Sequence, residues 1–584
     1  MQTQTPVEKK TFVTQQTNRL PFALFLAMAS AIFLIDAVLP LPGLRFPDAA
    51  LARFDSWLLL PSRILFPGQV VNSSYHVTIS AAALPSFIAL SWEHFFFLFA
   101  SFLILFLLYL LALRVLPSRT THRFVLYSTL LLGVLFVVTP TIPSQDLFSY
   151  IGYARMEVIY HLNPLTTAPT AIQTDPVYQH IYWGQQPSVY GPTWIFVVSL
   201  LQWLAVAFGF KSVWVMVFAL RLFSLGLHLF STQLIWLISG RLQRVHNIIS
   251  PRLRMQATLA FAWNPLLLFE SGVNAHNDIM ILALVLLAFW LLVSVRRVTL
   301  QAGIGATVVF ALATCLKVNF ALLVPGLLLF LWVQQSSISR RVVTVVTAVV
   351  AYVGTIALLY VPFWLQGGKA IFHVFQINPG DYRDISTLFE VVSRLYISIK
   401  NAHGAHIVSD ISTGSSVEVF THQISLTLFV IVYAYLCIQA LYASRRTTYT
   451  LSSVIRWMTV IWLLYCAIGS PWFWPWYMIT FFGLFALVEA TNPESRGIPF
   501  LFGVLRLPLA VRILAFSILC IYCSVAWAPF VTFLPGFPDF RVAYLRGLWV
   551  WLLPLLALHW HPHLRSVQLN TVSAKTIASQ GVDP

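Results

Sequence analysis

Residues 143–165 read PSQDLFSYIGYARMEVIYHLNPL, and they open the most polar long segment that lies between hydrophobic spans in the first half of the chain. A Thr/Ala/Pro-rich passage follows, and residues 175–192 close the segment with DPVYQHIYWGQQPSVYGP. Its Asn-Pro and Tyr-Gly-Pro sequences are typical of turns. A polar segment of this length between apolar runs indicates an external loop with a site of its own.

Asp146 follows an apolar run within a few residues, so its carboxylate is expected at a membrane surface. Tyr150 and Arg155 come next, at spacings that share helix faces in the predicted helix 147–160. A carboxylate in this position is a candidate base. A second interpretation stays open, because the same carboxylate can serve only to cap the helix by accepting its free backbone N–H groups.

The composition excludes a soluble domain. Hydrophobic residues make up 59% of the chain and charged residues 9%, with a mean hydropathy of +0.80. Apolar runs of about 20 residues predict transmembrane helices, because a helix satisfies its own backbone in lipid. The chain is therefore predicted to be an all-α polytopic membrane protein. The net charge of +16 comes from Lys and Arg beside the apolar runs, so no nucleic-acid partner is predicted.

Positive charges beside the apolar runs predict the orientation of the chain. The run at residues 20–39 is too long for a signal-peptide core and predicts an uncleaved first span with a cytoplasmic N-terminus. The runs 95–113 and 124–139 follow, and the arginines between them predict a cytoplasmic connection. Asp146 is therefore expected on the extracytoplasmic side of the cytoplasmic membrane.

Two neighbouring apolar runs, 194–208 and 213–238, cannot both cross the membrane without placing later arginine pairs outside. The shorter run, 194–208, is therefore predicted to be an extracytoplasmic juxtamembrane helix. The remaining runs then alternate, which predicts about 14 transmembrane helices with both termini cytoplasmic. Four parts are predicted: a tail with two accessory transmembrane helices (1–121), a core (122–363) with a large external loop (143–212), an external polar loop (364–423) and C-terminal transmembrane helices (424–584).

A second polar cluster, ESGVNAHNDIM at residues 270–280, lies in a tight external loop between two predicted spans. Carboxylates and amides match the donors and acceptors of a sugar's hydroxyl groups, and polar residues between spans usually serve a function. The cluster's candidates for such contacts are Glu270, Asn274, His276, Asn277 and Asp278. Asp278 can also serve only as a helix cap, and one His with two carboxylates is weak evidence for a metal, so none is predicted.

Two further features lie at predicted outer helix ends. Lys317, in ATCLKVNFALLVP, either snorkels to lipid headgroups or pairs with a phosphate in the outer leaflet, and the sequence leaves both open. Residues 470–477 read SPWFWPWY, which contains Trp474, Trp476 and Tyr477. An interfacial aromatic belt explains these rings, but two prolines among them favour a shaped groove wall.

In order, these motifs resemble those of the GT-C superfamily of glycosyltransferases. A span leads directly into an Asp-containing S-x-D-x-x-x-Y segment, followed by N-P, Y-G-P, N-x-H-N-D, a helix-end Lys-Val and P-W-F-W-P-W-Y. Within the superfamily the chain is similar to the polyprenyl-phosphate-mannose-dependent α-mannosyltransferases of actinobacterial lipoglycan assembly. The resemblance covers residues 123–488, and it rests on the order and sidedness of the motifs.

The resemblance implies a GT-C-type fold whose catalytic core is residues 122–363, with Asp146 as the catalytic base of an inverting transfer. The donor would be mannose on a polyprenyl phosphate in the outer leaflet, and the acceptor a glycan or a lipid-linked molecule. Contacts to the donor phosphate would fall on Lys317 and Arg155, so no metal or other cofactor is required. With the candidates above, the predicted substrate-binding residues are Tyr150, Tyr190, Asn274, His276, Asn277, Asp278, Trp474, Trp476 and Tyr477.

A transporter or flippase of a lipid-linked sugar is the alternative from another functional class. It would use the same basic and aromatic surfaces without chemistry. Transporters typically place ionisable groups or broken helices near the membrane midplane, and many contain internal repeats. Here the polar clusters lie at predicted outer helix ends, which favours the enzyme.

Overall fold

A computed structural model of the chain describes residues 19–44, 58–68, 83–295, 298–376, 384–408, 414–446, 449–491, 498–500, 503–505, 507–537 and 539–559. Three features of the sequence analysis lie outside these residues: the N-terminal tail 1–18, the arginine pair 296–297 and the C-terminal tail after residue 559.

The described residues are mostly helical. The helices up to the second polar cluster are α1 (Arg19–Val38), α2 (Leu60–Leu65), α3 (Leu84–Val115), α4 (His122–Val137), α5 (Asp146–Val158), α6 (Pro192–Ala207), α7 (Val213–Val245), α8 (Pro251–Ala262) and α9 (Pro265–Phe269). After it come α10 (Asp278–Val293), α11 (Leu300–Thr314), α12 (Val324–Val333), α13 (Ile338–Gly367), α14 (Leu388–Ala402), α15 (Ser416–Arg446), α16 (Leu451–Leu464), α17 (Ile479–Thr491), α18 (Leu507–Leu519), α19 (Ile521–Ser524), α20 (Trp527–Val531) and α21 (Arg546–His559).

Shorter elements complete the described chain. Two segments are π-helices, Glu270–Asn274 and Tyr465–Gly469. The 3₁₀ helices are Pro169–Ile172, Tyr178–His180, Val318–Leu323, Gly368–Gln376, Pro475–Met478 and Val542–Leu545. Two three-residue strands, β1 (Ile498–Phe500) and β2 (Gly503–Leu505), pair antiparallel.

Within the described ranges, six helices are long and apolar enough to cross a membrane: Arg19–Val38, Leu84–Val115, Val213–Val245, Ile338–His373, Ser416–Arg446 and Leu451–Gly469. Pro265–Asn274 and Asp278–Val293 meet at a bend of 118° and make a seventh such segment if the bent pair is counted as one broken span. The helical membrane protein predicted from composition is therefore consistent with the structure. The total of about 14 spans stays a prediction, because the other apolar helices have only 10–17 residues.

Ser and Thr residues cap five of the helices that begin at one end of the bundle. In each case the side-chain oxygen accepts a backbone N–H of the first turn, which satisfies a donor that the helix itself leaves free. These caps are Thr121 for α4, Ser250 for α8, Thr299 for α11, Ser337 for α13 and Thr450 for α16.

Basic and aromatic side chains pack together at this end. The Arg254 guanidinium lies over the Trp236 ring at 3.6 Å, and the His122 ring stacks on the same indole at 4.6 Å. These contacts join the beginnings of α4 and α8 to the last turns of α7. The opposite ends of these helices carry the polar clusters found in the sequence.

The first helix packs on the core that follows it. Asp36 of α1 is buried and accepts a hydrogen bond from the Thr139 hydroxyl, just after α4. The contact crosses the predicted boundary between residues 121 and 122. The division into four parts stays a prediction.

Candidate active site

Arg221 fixes the chain segment that leads to Asp146. This fully buried guanidinium lies on α7 and donates to the carbonyl oxygens of Val137, Thr139 and Thr141 at 3.0, 2.7 and 2.9 Å. Its Nε donates to the carbonyl of Val273 at 2.7 Å. Buried carbonyl groups require donors, and one side chain supplies four of them here. Arg221 thereby joins the turn after α4 to the second polar cluster.

Asp146 is the first residue of α5 rather than its cap, which is Gln145. Its carboxylate accepts a hydrogen bond from the Tyr190 hydroxyl at 3.0 Å and lies 3.8 Å from His276 Nε2. The first turn of a helix favours a negative charge, but helix capping accounts for neither of these side-chain contacts. The Asp146 side chain is 16% exposed, so a substrate can reach it.

The second polar cluster occupies the break between α9 and α10. Glu270–Asn274 forms a π-helix, a rare geometry that is frequent at functional sites. Ala275 then adopts the left-handed conformation, with φ of 54°, which is uncommon for a residue with a side chain. This local bend turns the chain through 118° and brings His276 back toward Asp146.

Glu270 is the centre of a buried hydrogen-bond network. Its Oε1 accepts from the Tyr522 hydroxyl at 2.6 Å, and its Oε2 accepts from Asn274 Nδ2 at 3.1 Å. His276 Nδ1 lies 2.7 Å from the same Oε2. The other ring nitrogen of His276 is 3.0 Å from Ser144 Oγ. The network therefore extends from α19 to the segment just before Asp146.

Trp476 contacts two other rings. The His276 imidazole stacks on it with centroids 3.8 Å apart and planes at 16°, and the Trp474 indole lies 5.4 Å away at 2°. Trp476 is buried, whereas Trp474 and Tyr477 are half-buried. The SPWFWPWY stretch thus supports the histidine and presents two partly exposed rings at the same end of the bundle.

Lys317 points into this cluster. Its Nζ donates to Asp278 Oδ2 at 2.6 Å, and it lies 4.9 Å from the Tyr477 ring centroid and 5.8 Å from that of Tyr190. The Lys317 side chain is 12% exposed and that of Asp278 is 2% exposed. A lysine that only snorkels to headgroups would not be enclosed by these partners.

The Tyr-Gly-Pro turn ties the external loop to the segment before Lys317. Gly191 N donates to the carbonyl of Leu316 at 3.1 Å, and Thr193 N to that of Cys315 at 3.2 Å. A Cβ at Gly191 would lie 2.2 Å from the Cys315 carbonyl oxygen, so only glycine fits. This close approach holds Tyr190 between Asp146 and Lys317.

Two amide side chains of the second cluster have unused hydrogen-bonding atoms. Asn277 is fully buried, and neither Oδ1 nor Nδ2 has a partner among the described residues. The same holds for Oδ1 of the buried Asn274. Buried polar atoms are nearly always paired, so these atoms are suited to a hydroxyl-rich ligand or to water.

Tyr150 lies behind the cluster rather than on its surface. Its ring is fully buried and packs edge-on against Tyr190 and Trp194, each with centroids 5.0 Å apart. Burial raises the pKa of the Tyr150 phenol well above its usual range, and the charge of Asp146 adds to the effect. Tyr150 therefore stays neutral and positions Tyr190.

Arg155, predicted beside Lys317 as a phosphate ligand, is engaged elsewhere. Its guanidinium donates to Asp175, with Nε 2.9 Å from each carboxylate oxygen and Nη2 2.7 Å from one of them. Nη1 donates to the carbonyl of Lys211 at 3.1 Å. This buried pair ties α5 to the external loop, and it explains Arg155 without a phosphate.

Sequence reasoning missed three contributors to the site. Arg221 is a lone charge inside an apolar run, and such a residue usually marks a functional site, so a signal was present. Ser144 is the first residue of the S-x-D-x-x-x-Y segment, so its signal was a motif position without an assigned role, whereas Tyr522 gave none, because a tyrosine in an apolar run is common.

The fold and the site together define a helical membrane protein with carboxylates, amides and aromatic rings gathered at one end of its bundle. Residues 65–334 match the model of the MptA_B family, described as Alpha-(1->6)-mannopyranosyltransferase, N-terminal domain. The match confirms the predicted resemblance to GT-C mannosyltransferases of the actinobacterial type. It includes Asp146, the second polar cluster and Lys317, whereas SPWFWPWY lies beyond it. No curated protein and no solved structure matches the chain.

Proposed function

We propose that the chain transfers mannose from a polyprenyl-phosphate donor to a glycan or lipid-linked acceptor, with inversion at the sugar carbon and with Asp146 as the base. The mannosyltransferase family domain supports the sugar and the reaction class. One observation carries the assignment of the base. Three carboxylates lie in the candidate site. The Glu270 and Asp278 side chains are 0% and 2% exposed and are paired with His276 and Lys317, whereas the Asp146 side chain is 16% exposed.

The proposed chemistry is a single displacement. Asp146 takes the proton of the acceptor hydroxyl as that oxygen forms its bond to the sugar carbon. The bond between this carbon and the phosphate oxygen breaks on the opposite face, and its electron pair leaves with the phosphate. The Tyr190 hydroxyl, 3.0 Å from Asp146, holds the carboxylate in position.

Lys317 is the proposed partner of the donor phosphate. Its ammonium has three protons, of which Asp278 at 2.6 Å takes one. A phosphate that shares the remaining protons would lie beside the Tyr477 ring, 4.9 Å from Nζ. Arg155 is left out of this donor site, because Asp175 and the Lys211 carbonyl already hold its guanidinium.

The sugar and acceptor contacts are proposed for side chains with unused capacity. Asn277 and Asn274 have buried amide atoms without a partner among the described residues, whereas Glu270 and Lys317 already engage their neighbours His276 and Asp278. The half-buried rings of Trp474 and Tyr477 are suited to stacking on sugar rings. Trp476 is not, because His276 and Trp474 lie against its ring.

The proposed location is the extracytoplasmic face of the cytoplasmic membrane. The bundle end opposite Asp146 carries arginines at helix ends, among them Arg114, Arg241, Arg244, Arg340, Arg341, Arg445 and Arg446. Positive charges beside membrane spans face the cytoplasm. This charge distribution supports a site that opens to the outside.

Incubation of the purified protein with radiolabelled polyprenyl-phosphate-mannose and extracted membrane lipids tests the proposal. Label recovered in a new glycan or glycolipid is the expected result. Label that moves unchanged across a vesicle bilayer, with no new product, contradicts the enzyme and supports a flippase.

A further inference from the structure

Glu270 is a fully buried carboxylate that the proposed displacement does not use. Its two oxygens accept hydrogen bonds from the Tyr522 hydroxyl at 2.6 Å, from Asn274 Nδ2 at 3.1 Å and from His276 Nδ1 at 2.7 Å. A buried charge is stable only when it is paired or neutralised. Among these three partners in the described chain, only His276 can become a cation.

The contact with Glu270 fixes which nitrogen of His276 carries the proton. A carboxylate accepts, so Nδ1 donates to it, and the neutral ring then has its lone pair on Nε2. Nε2 is 3.0 Å from Ser144 Oγ and 3.8 Å from Asp146 Oδ2. A serine hydroxyl can donate or accept, so it is compatible with Nε2 before and after protonation.

Trp476 and Ala275 hold the imidazole in this orientation. The indole stacks on the ring at 3.8 Å, and its π face also attracts a cation. Ala275 takes the left-handed conformation immediately before His276, with φ of 54°. Strained backbone of this kind persists only where the surroundings impose it, and it is concentrated at functional sites.

We propose that His276, held by Glu270, receives the acceptor's proton from Asp146 and so restores the base after each transfer. The proposal rests on the proposed function, since it requires Asp146 to be the base. The proton leaves the acceptor oxygen for Asp146 Oδ2 and then passes to His276 Nε2. One water, or a rotation of the partly exposed Asp146 carboxylate, closes the 3.8 Å gap. Glu270 stabilises the imidazolium until the proton passes to the released polyprenyl phosphate, so that Asp146 and His276 both end the cycle as they began it.

The test compares the pH dependence of kcat for full-length protein in lipid nanodiscs. His276→Gln and Glu270→Gln are expected to lower kcat about tenfold or more, while the KM for polyprenyl-phosphate-mannose stays within about twofold. Glu270→Gln is expected to move the acidic limb of the profile down by about one pH unit, because a lost negative charge disfavours protonation of its neighbours. The double variant should be no slower than His276→Gln alone, because both residues act in one step.

A matched control separates the relay from a purely structural role. His228 is also fully buried, stacks on Phe261 at 4.9 Å and bonds the carbonyl of Ala262 at 3.0 Å. His228→Gln is expected to lower the thermal midpoint without moving the pH profile. If Glu270→Gln does not fold, Tyr522→Phe removes one donor from Glu270 but keeps its charge, so it should shift the acidic limb by a smaller amount in the opposite direction, to higher pH.

Failure of the relay differs from failure of the proposed function. Unshifted profiles for the Glu270 and Tyr522 variants, with active wild type and slow Asp146→Asn protein, overturn the relay alone. Multiplicative losses in the double variant also overturn it. Absence of transfer by the wild type, or a fully active Asp146→Asn protein, overturns the proposed function itself.

Discussion

Lys317 has two candidate roles, binding the donor phosphate or only neutralising Asp278, and the two roles predict different results for its variants. A charge-assisted contact to phosphate contributes roughly 1.5–3 kcal/mol, so Lys317→Ala should weaken donor affinity about ten- to more than a hundredfold if the residue binds phosphate. A lysine that only neutralises Asp278, 2.6 Å away, would instead lower stability and leave donor affinity unchanged. Equilibrium binding of labelled donor distinguishes the two.

Two variants control for the loss of the ion pair. Lys317→Ala/Asp278→Asn removes both charges, so it should recover stability while donor binding stays weak. Lys211→Ala removes an exposed lysine between α6 and α7 and should leave donor affinity unchanged. Wild-type affinity of the Lys317→Ala protein would contradict the donor assignment.

Glu157 should make the stability of the protein depend on pH. Its carboxylate, on α5, accepts from the Ser199 hydroxyl at 2.6 Å, and burial raises its pKa above the usual 4.5. The folded state therefore holds the proton more tightly than the unfolded state, and stability falls as pH rises from about 4.5 through the raised pKa. Glu157→Gln keeps the hydrogen bond and should raise the thermal midpoint above that window.

Below the window the Glu157 variant and the wild type should unfold at the same temperature. The exposed Glu93 provides the control, since Glu93→Gln should change the midpoint little at any pH. A Glu157→Gln protein that is less stable than wild type at pH 7 would contradict the reasoning.

At the scale of elements, Arg221 links α7 to two segments of the candidate site, the turn after α4 and the second polar cluster. Arg221→Met keeps much of the volume but leaves the carbonyls of Val137, Thr139, Thr141 and Val273 without their donor. Removing one member of a buried charged network typically costs about 3–5 kcal/mol. We expect a large fall in the thermal midpoint, together with slower transfer, because Asp146 and His276 lose their common support.

Arg241 supplies the comparison on the same helix. It is exposed at the far end of α7, so Arg241→Met should leave both the midpoint and the transfer rate near wild type. An Arg221→Met protein with the wild-type midpoint and rate would show that Arg221 does not position the site.

At the scale of the whole molecule, the end of the bundle that carries Asp146 should face outward. In a Cys437→Ser background, whose other four cysteines are buried, Tyr182→Cys should react with a membrane-impermeant thiol reagent on intact cells. Tyr182 is 58% exposed in the external loop. Ile249→Cys, at an 81% exposed position beside the basic end, should react only after permeabilisation. The reverse pattern would contradict the proposed orientation.

The sequence was most informative where a pattern extends over many residues. The predicted runs 95–113 and 213–238 lie within α3 and α7, because lipid demands about 20 apolar residues for each crossing. The predicted helix 147–160 differs from α5 by one residue at its start and two at its end. Asp146, which the sequence also allows as the cap of this helix, therefore lies in its first turn.

The sequence was least informative about long-range pairing. The sequence predicts that Asp146, His276 and Lys317 lie at the outer ends of helices. Their mutual contacts depend on the 118° break before α10 and on the Gly191 turn. The pairing of Arg155 with Asp175 was not predicted, since spacing along a chain does not show which charges meet. Tyr522 contacts Glu270 from 252 residues away, a distance that no local pattern spans.

The central claim is that Asp146 performs the chemistry, and the turnover of the Asp146→Asn protein tests it most directly. Asparagine keeps the size of the side chain and its contact with Tyr190 but cannot take a proton. The account predicts that transfer of labelled mannose slows by about two or more orders of magnitude, with donor binding and thermal midpoint unchanged. Near-normal turnover of a correctly inserted Asp146→Asn protein would contradict it.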